Sequence, residues 1–190
     1  YFHYYVERPE LLPDYLLWQM IAYAAGAVMA PVMTRYLDKA KLLMLLMGIV
    51  GALSIAFYFV PKDMIWGMFT LNILISLALG PKSPLTWSMY ADTADYNEWK
   101  HGRRATAMTF SAATFAQKLG GSLGSAGMLW VLAAIGYAAN QAQTGASQTG
   151  IALLQTAIPG FFALLAVAVT SFYNLTGKQL EQIQLEHRER

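Results

Sequence analysis

Apolar runs of about bilayer-crossing length, separated by short polar stretches, set the pattern of this chain. At 1.5 Å of rise per residue, about 20 apolar residues cross the hydrocarbon core of a membrane. Five segments have that character: about 15–34, 42–60, 64–90, 105–139 and 151–173. The fourth is longer than a crossing needs, so it is expected to tilt or protrude. The breaks carry Pro, Gly or charge: Arg8-Pro9-Glu10, Arg35 to Lys41, Pro61-Lys62-Asp63, Asp92 to Arg104, and the uncharged Asn140 to Gly150. The pattern predicts an all-α membrane protein with a helical bundle over 1–177 and a charged tail over 178–190. Tyr1–Val6 lacks an initiator Met, a basic n-region and a cleavage site, so it does not read as a signal peptide. It reads as the last turns of an apolar helix, and the chain is expected to be the C-terminal part of a larger protein.

Composition agrees. Hydrophobic residues make up 56% of the 190 and charged residues 13%, against about 25% charged in soluble domains. There is no cysteine, and His3, His101 and His187 are scattered, which removes disulfides and zinc-type clusters. No Gly-rich phosphate loop or Ser/His/Asp set stands out, so neither an enzyme nor a resident metal or cofactor is expected. The net charge of +2 is too small to suggest nucleic acid. Its distribution is informative. One set of span ends carries Arg35, Lys39, Lys41, Lys100, Arg103, Arg104, Lys178, Arg188 and Arg190, and the opposite set only Arg8 and Lys62. The positive-inside bias then predicts that the charged loops and the tail are cytoplasmic, in an inner (cell) membrane. The tail itself reads as a solvated end.

The two remaining cations lie inside spans. Lys118 is flanked by uncharged runs on both sides, and a lysine near mid-bilayer costs about 3 kcal/mol or more unless it meets a partner or water. At about 100° per residue, Ser111, Thr114, Lys118, Ser122 and Ser125 fall within about 40° of one line, as expected of a helix lining a wet cavity. The competing account is a lysine paired structurally within the bundle, with serines bonded to their own backbone. Gln117 lies off that line. Gly120 and Gly124 on the opposite side suit a close helix neighbour. Lys82 sits in Gly80-Pro81-Lys82-Ser83-Pro84, where two prolines must interrupt the third helix and free carbonyls, as at transporter binding or hinge regions. It is also near enough to the inner end to snorkel outward. Trp87 is placed to stack on a sugar ring or to anchor at the interface. Asn72 and Ser76, four apart, read first as helix-packing hydrogen bonds. Asp92, Asp95, Glu98, Lys100, Arg103 and Arg104 form a mixed-charge loop suited to salt bridges that hold one conformation closed, or simply a solvated connection.

The run Ala91-Asp-Thr-Ala-Asp-Tyr-Asn-Glu-Trp-Lys-His-Gly-Arg-Arg104 resembles the signature loop of the melibiose permease-like glycoside-pentoside-hexuronide:cation symporters of the major facilitator superfamily. Phe110-Ser-Ala-Ala-Thr-Phe-Ala-Gln-Lys-Leu-Gly-Gly121 is similar to that family's eleventh helix, and Ile135-Gly-Tyr137 to its outer end. The resemblance covers nearly the whole chain, as the end of helix 7 plus helices 8 to 12 of the C-terminal six-helix bundle. It implies that Lys118 lies near the cation and sugar sites, that Thr114 points toward them, and that Asp92, Asp95 and Arg104 take part in cytoplasmic gating. It also implies that the main sugar-contacting and cation-binding carboxylates belong to the N-terminal half. This chain departs from the pattern at Ala113, Asn97 and Lys82.

The sequence therefore predicts half of a secondary transporter that moves a sugar or glycoside with H+ or Na+. Substrate- or cation-site lining is expected from Lys118, Thr114, Ser111, Ser122, Trp87 and Lys82. A gating loop is expected from Asp92, Asp95, Glu98, Arg103 and Arg104. The partners expected are the sugar, membrane lipid and the N-terminal half. The rival readings are a facilitator of another solute, such as an organic anion using Lys82 and Lys118, and a non-transport membrane subunit.

Overall fold

The computed structural model describes residues 1–102 and 105–188, and every regular element among them is helical. After a 3-10 turn at Pro9–Leu11 the helices are α1 (Leu12–Met33), α2 (Lys39–Tyr58), α3 (Ile65–Leu79) and α4 (Lys82–His101), followed by α5 (Thr106–Ala134), α6 (Gly145–Gln155), α7 (Ala157–Thr170) and α8 (Gly177–Arg188). Tyr1–Val6 forms a turn closed by the Tyr5 N–H donating to the Tyr1 carbonyl. Its Phe2 and Val6 are buried against Tyr15, Phe57 and Met68.

Two of the crossings are built from paired helices. Pro81 lacks the N–H that would bond the Leu77 carbonyl, so α3 and α4 are separated by a two-residue turn at Gly80–Pro81. Together they form one stretch, Ile65–His101, long and apolar enough to cross a membrane. The α6/α7 break has the same cause. Pro159 has no N–H for the Gln155 carbonyl, and Thr156 takes a non-helical φ of −122° and ψ of −78°. The sequence pattern treated this region as one span; Pro159 was the signal for the break.

Three expectations change. The charged run beginning at Asp92 is not a loop: α4 continues to His101, so Asp92, Asp95 and Glu98 project from a helix. Neither Pro nor Gly interrupts Leu85–His101, and the helix ends only where Gly102 adopts φ +65° and its N–H bonds the Glu98 carbonyl at 2.8 Å. Arg103 and Arg104 lie outside the described residues. The tail, expected as a solvated end, is helical and mostly exposed. Thr176 and Gln179 exchange side-chain to backbone bonds as a capping box, starting α8. Its Ile183 is 2% exposed. Finally, α5 is 29 residues long, yet it is not among the four helical stretches apolar enough to cross a membrane on hydropathy. Its lysine, glutamine, hydroxyls and glycines dilute the apolar content.

The bundle core is made by α2 against α7 and α1 against α3. Leu42, Leu46, Met47 and Val50 of α2 pack with Leu85 and Met89 of α4. The tightest crossing joins α1 to the α3/α4 turn: a Cβ on Gly26 would lie 2.1 Å from the Leu77 carbonyl oxygen, and one on Gly80 2.3 Å from the Tyr23 oxygen. Backbone meets backbone there, as in close membrane-helix pairs. By contrast, Gly120 and Gly124, expected to receive a close neighbour, meet nothing within 4 Å among the described residues. The outer surface is apolar, with Val28 78%, Trp66 83% and Phe172 81% exposed. Such a surface requires lipid in place of water.

Candidate functional site

The site is set by the α3/α4 interruption. The Gly26–Gly80 contact fixes α1 against the turn, which puts Lys82 in the first turn of α4 beside Tyr23 of α1. One and two turns on, Trp87 and Tyr90 clasp Phe110 of α5. The Trp87 and Phe110 rings stack at 5.8 Å with an interplanar angle of 11°, and Tyr90 meets both rings edge-on. These aromatic pairs hold the inner part of α5 against α4 and leave a space of about 410 Å3 between α1, α4 and α5. That is within the range of small-molecule sites, about 300–1,000 Å3.

The cavity is lined by Tyr23, Lys82, Ser83, Thr86, Trp87, Tyr90, Ala113, Ala116 and Gln117. It presents one ammonium, the amide of Gln117, several hydroxyls and the face of an indole, with no carboxylate in its lining. The Thr86 hydroxyl is already spent, donating to the Lys82 carbonyl at 2.7 Å. Such a set can hydrogen-bond a hydroxylated solute and stack on its apolar face. A second space of about 420 Å3 lies among Tyr15, Gln19, Ser54, Asn72, Ser76 and Gln155, with Lys82 again on its wall. Its polar groups are mostly buried and neutral. The Asn72 amide donates to the Tyr15 carbonyl at 3.1 Å, tying α3 to α1, so its packing role is direct.

Of the residues expected to line the site, the structure places Lys82 and Trp87 on the first cavity and leaves the α5 stripe off it. Ser111, Lys118 and Ser122 are exposed, and none lines a cavity described above. Thr114 is half-buried, and its hydroxyl donates back to the Phe110 carbonyl at 2.8 Å; Ser125 does the same to Gly121. These two hydroxyls are satisfied locally, as the competing account held. Gln117, set aside because it lies off the stripe, is the polar α5 side chain on the cavity wall, beside Ala113 and Ala116. The helical-wheel argument identified a polar face correctly but not the face turned toward α4, which the Phe110 stacking decides.

At the charged end, the expected gating residues separate. Asp92, 7% exposed, receives the Lys39 ammonium of α2 at 2.6 Å. Asp95 and Glu98 follow on the same helix and are half-buried. Trp99 donates its indole N–H to Glu186 of α8 at 2.5 Å, and Asp38 accepts the Gly177 N–H at 3.3 Å. The sequence reading missed this clamp of α2, α4 and α8. The Thr176-x-x-Gln179 box was its one legible signal. Stability should respond asymmetrically to breaking the ion pair. The Lys39 side chain is 30% exposed and can rehydrate, whereas the Asp92 side chain is 9% exposed. Lys39→Met therefore strands a buried carboxylate and should cost about 3 kcal/mol, Asp92→Asn only about 1, and Lys39→Met/Asp92→Leu should recover most of the loss. Midpoints of thermal unfolding in detergent measure this; equal, small shifts for both single variants would show that the pair is energetically idle.

Comparison with known proteins agrees with this architecture. The family described as MFS/sugar transport protein matches residues 1–177. An uncharacterized 29.9 kDa protein of Pseudescherichia vulneris is 34% identical over 90% of this chain and 65% of its own length. The inner membrane symporter YicJ of Escherichia coli is 31% identical over 92% of the chain, and the putative glycoside/cation symporter YagG of the same organism 28% over 97%. The chain spans only 38% and 41% of those two symporters. With 177 of its 190 residues matched, and with the two motifs pointing the same way, the chain belongs to the MFS/sugar transport protein family.

Proposed function

We propose that residues 1–190 form the C-terminal half of a carrier that moves a sugar or glycoside together with a cation, H+ or Na+, by alternating access. The observation that carries this reading is the cavity between α1, α4 and α5, where an aromatic floor, an amide and hydroxyls line a space inside an otherwise apolar bundle. Relatives named as symporters, among them a putative glycoside/cation symporter, support the same solute class. The broken α3/α4 helix supports a binding region near mid-depth. The exposed stripe of α5 supports a second half. An ammonium flanked by hydroxyls is costly against lipid, so this face is suited to water or to the upstream half. In this reading Lys118 is a charge partner for an acid of that half, and its pairing changes as cation and sugar bind. The Lys39–Asp92 pair and the α8 clamp hold the cytoplasmic ends of α2 and α4 together.

The test is counterflow of labelled glycosides into vesicles holding the full-length protein, with Na+ and H+ varied separately. Exchange of a glycoside, and its accumulation under one inward cation gradient, is the expected result. Exchange with no response to either gradient would overturn symport, and no exchange at all would overturn the sugar assignment.

A further inference from the structure

We propose that Tyr173 is a stand-in hydrogen-bond donor for Asp92, taking the carboxylate when Lys39 releases it as the cytoplasmic end opens. The proposal rests on the transport function above and adds a positioning residue to its gate. Asp92 is 7% exposed, and the Lys39 ammonium holds it at 2.6 Å. The two members of that pair are unequally placed. The Lys39 side chain, at the start of α2, is 30% exposed, whereas that of Asp92 on α4 is 9% exposed. Lys39 can leave for water, and Asp92 cannot follow it. A buried carboxylate stripped of its partner is costly, so a gate resting on this pair alone would open slowly.

A second donor lies beside the pair. Among the described residues, the Tyr173 hydroxyl is the one side-chain polar atom that is buried without a hydrogen-bond partner. Tyr173 follows α7, and its ring packs on the cluster that contains Ala40 of α2 and Met89 of α4. Ala40 is next in the chain to Lys39, and Met89 is one helical turn before Asp92. The hydroxyl itself is placed beside Thr93 and the Asp92 carboxylate. Thr93 has already given its own proton to the Met89 carbonyl at 2.8 Å. A phenol is protonated near neutral pH and has one O–H to donate. Leaving that donor buried and unpaired destabilises the present conformation. The arrangement makes sense if the bond is made in another conformation, the one in which Lys39 is away. Tyr173 also lies three residues before the Thr176–Gln179 box that starts α8 and sets the Gly177 N–H on Asp38. The segment that clamps α2 therefore carries the spare donor.

The experiment is a cycle of thermal unfolding midpoints in the full-length protein. Tyr173→Phe alone keeps the ring and removes an unpaired hydroxyl, so the midpoint should be unchanged or raised. In a Lys39→Met background, where Asp92 has lost its ammonium, the same exchange should lower the midpoint by several degrees. With Asp92→Leu also present it should again have no effect. If Lys39→Met fails to fold, Lys39→Gln takes its place in the cycle. Transport supplies the readout that a packing role would not move. A hydrogen bond to a charged group is worth about 10-fold or more. Tyr173→Phe should therefore lower kcat for counterflow of a labelled methyl glycoside by about that factor, with KM unchanged within about twofold. Equal midpoint shifts from Tyr173→Phe with and without Lys39, or an unchanged kcat in a protein that exchanges glycoside, overturn this inference and leave the sugar-transport reading standing. Absence of glycoside exchange in wild type overturns that reading instead, and the midpoints then decide whether Tyr173 serves Asp92.

Discussion

Lys118→Ala in the full-length protein is expected to abolish cation-driven sugar accumulation while leaving the bundle's stability within about 0.5 kcal/mol of wild type. The two halves of that statement come from one observation: Lys118 is exposed, and it lines neither of the two cavities described above. Removing a side chain with no packing duty is structurally quiet. Alanine also suits a helix interior better than most residues. Any large loss of transport then has to come from what Lys118 does toward water, cation or the upstream half. Cation-driven uptake and thermal unfolding of the same purified protein separate these. Normal accumulation by the variant would remove Lys118 from the mechanism. A collapse in stability would mean that the residue holds the fold, as a structural ion pair does.

Gly26→Val should have the opposite signature, a protein that does not assemble. A Cβ at Gly26 would sit 2.1 Å from the Leu77 carbonyl oxygen and 3.2 Å from the Gly80 Cα. Both are backbone atoms, so no rotamer change relieves the clash. Overpacking in cores where side chains can yield costs about 1–3 kcal/mol; here α1 has to be pushed off α3 along a main packing seam of the bundle. We expect a loss of at least about 3 kcal/mol, read as loss of the monodisperse peak in detergent chromatography. Gly48→Ala is the matched control. A Cβ there meets nothing within 4 Å, so the exchange should be neutral or stabilise α2 by up to about 1 kcal/mol. A well-behaved Gly26→Val protein would show that the helices are not in backbone contact at this crossing.

How much of this was legible beforehand depends on which force made each feature. Hydrophobic run length is a one-dimensional signal: four of the five expected spans overlap helical stretches long and apolar enough to cross a membrane, and the fourth, 105–139, does not. Pro81 gave the α3/α4 interruption, because a missing N–H acts locally. Pro159 carried the same signal at Thr156 and was not used. The continuation of α4 through Asp92–His101 was hidden because polar composition was taken as a loop, whereas a charged stretch without Pro or Gly remains helical beyond the apolar region. The cavity was half legible. Lys82 and Trp87 were visible as odd residues in an apolar segment, but Gln117 depended on how α5 is rotated, which the Trp87–Phe110 stack sets and no periodicity encodes. The glycines show the same limit. Small residues mark where close approach is allowed, yet Gly26 and Gly80 found a neighbour in this half and Gly120 and Gly124 did not.

The attachment of α5 has a mechanical consequence. Among the described residues α5 is contacted chiefly by α4 and α6, through a few rings at one end and the short Ile135–Gly150 abutment at the other. A swing of this rod, pivoting where Ile135 rests on Gly150, would widen or shut the space beside Lys82 and break the ring stacking at its inner end. The α2–α7 and α1–α3 seams would stay intact, so the doorway could travel while the frame stood still.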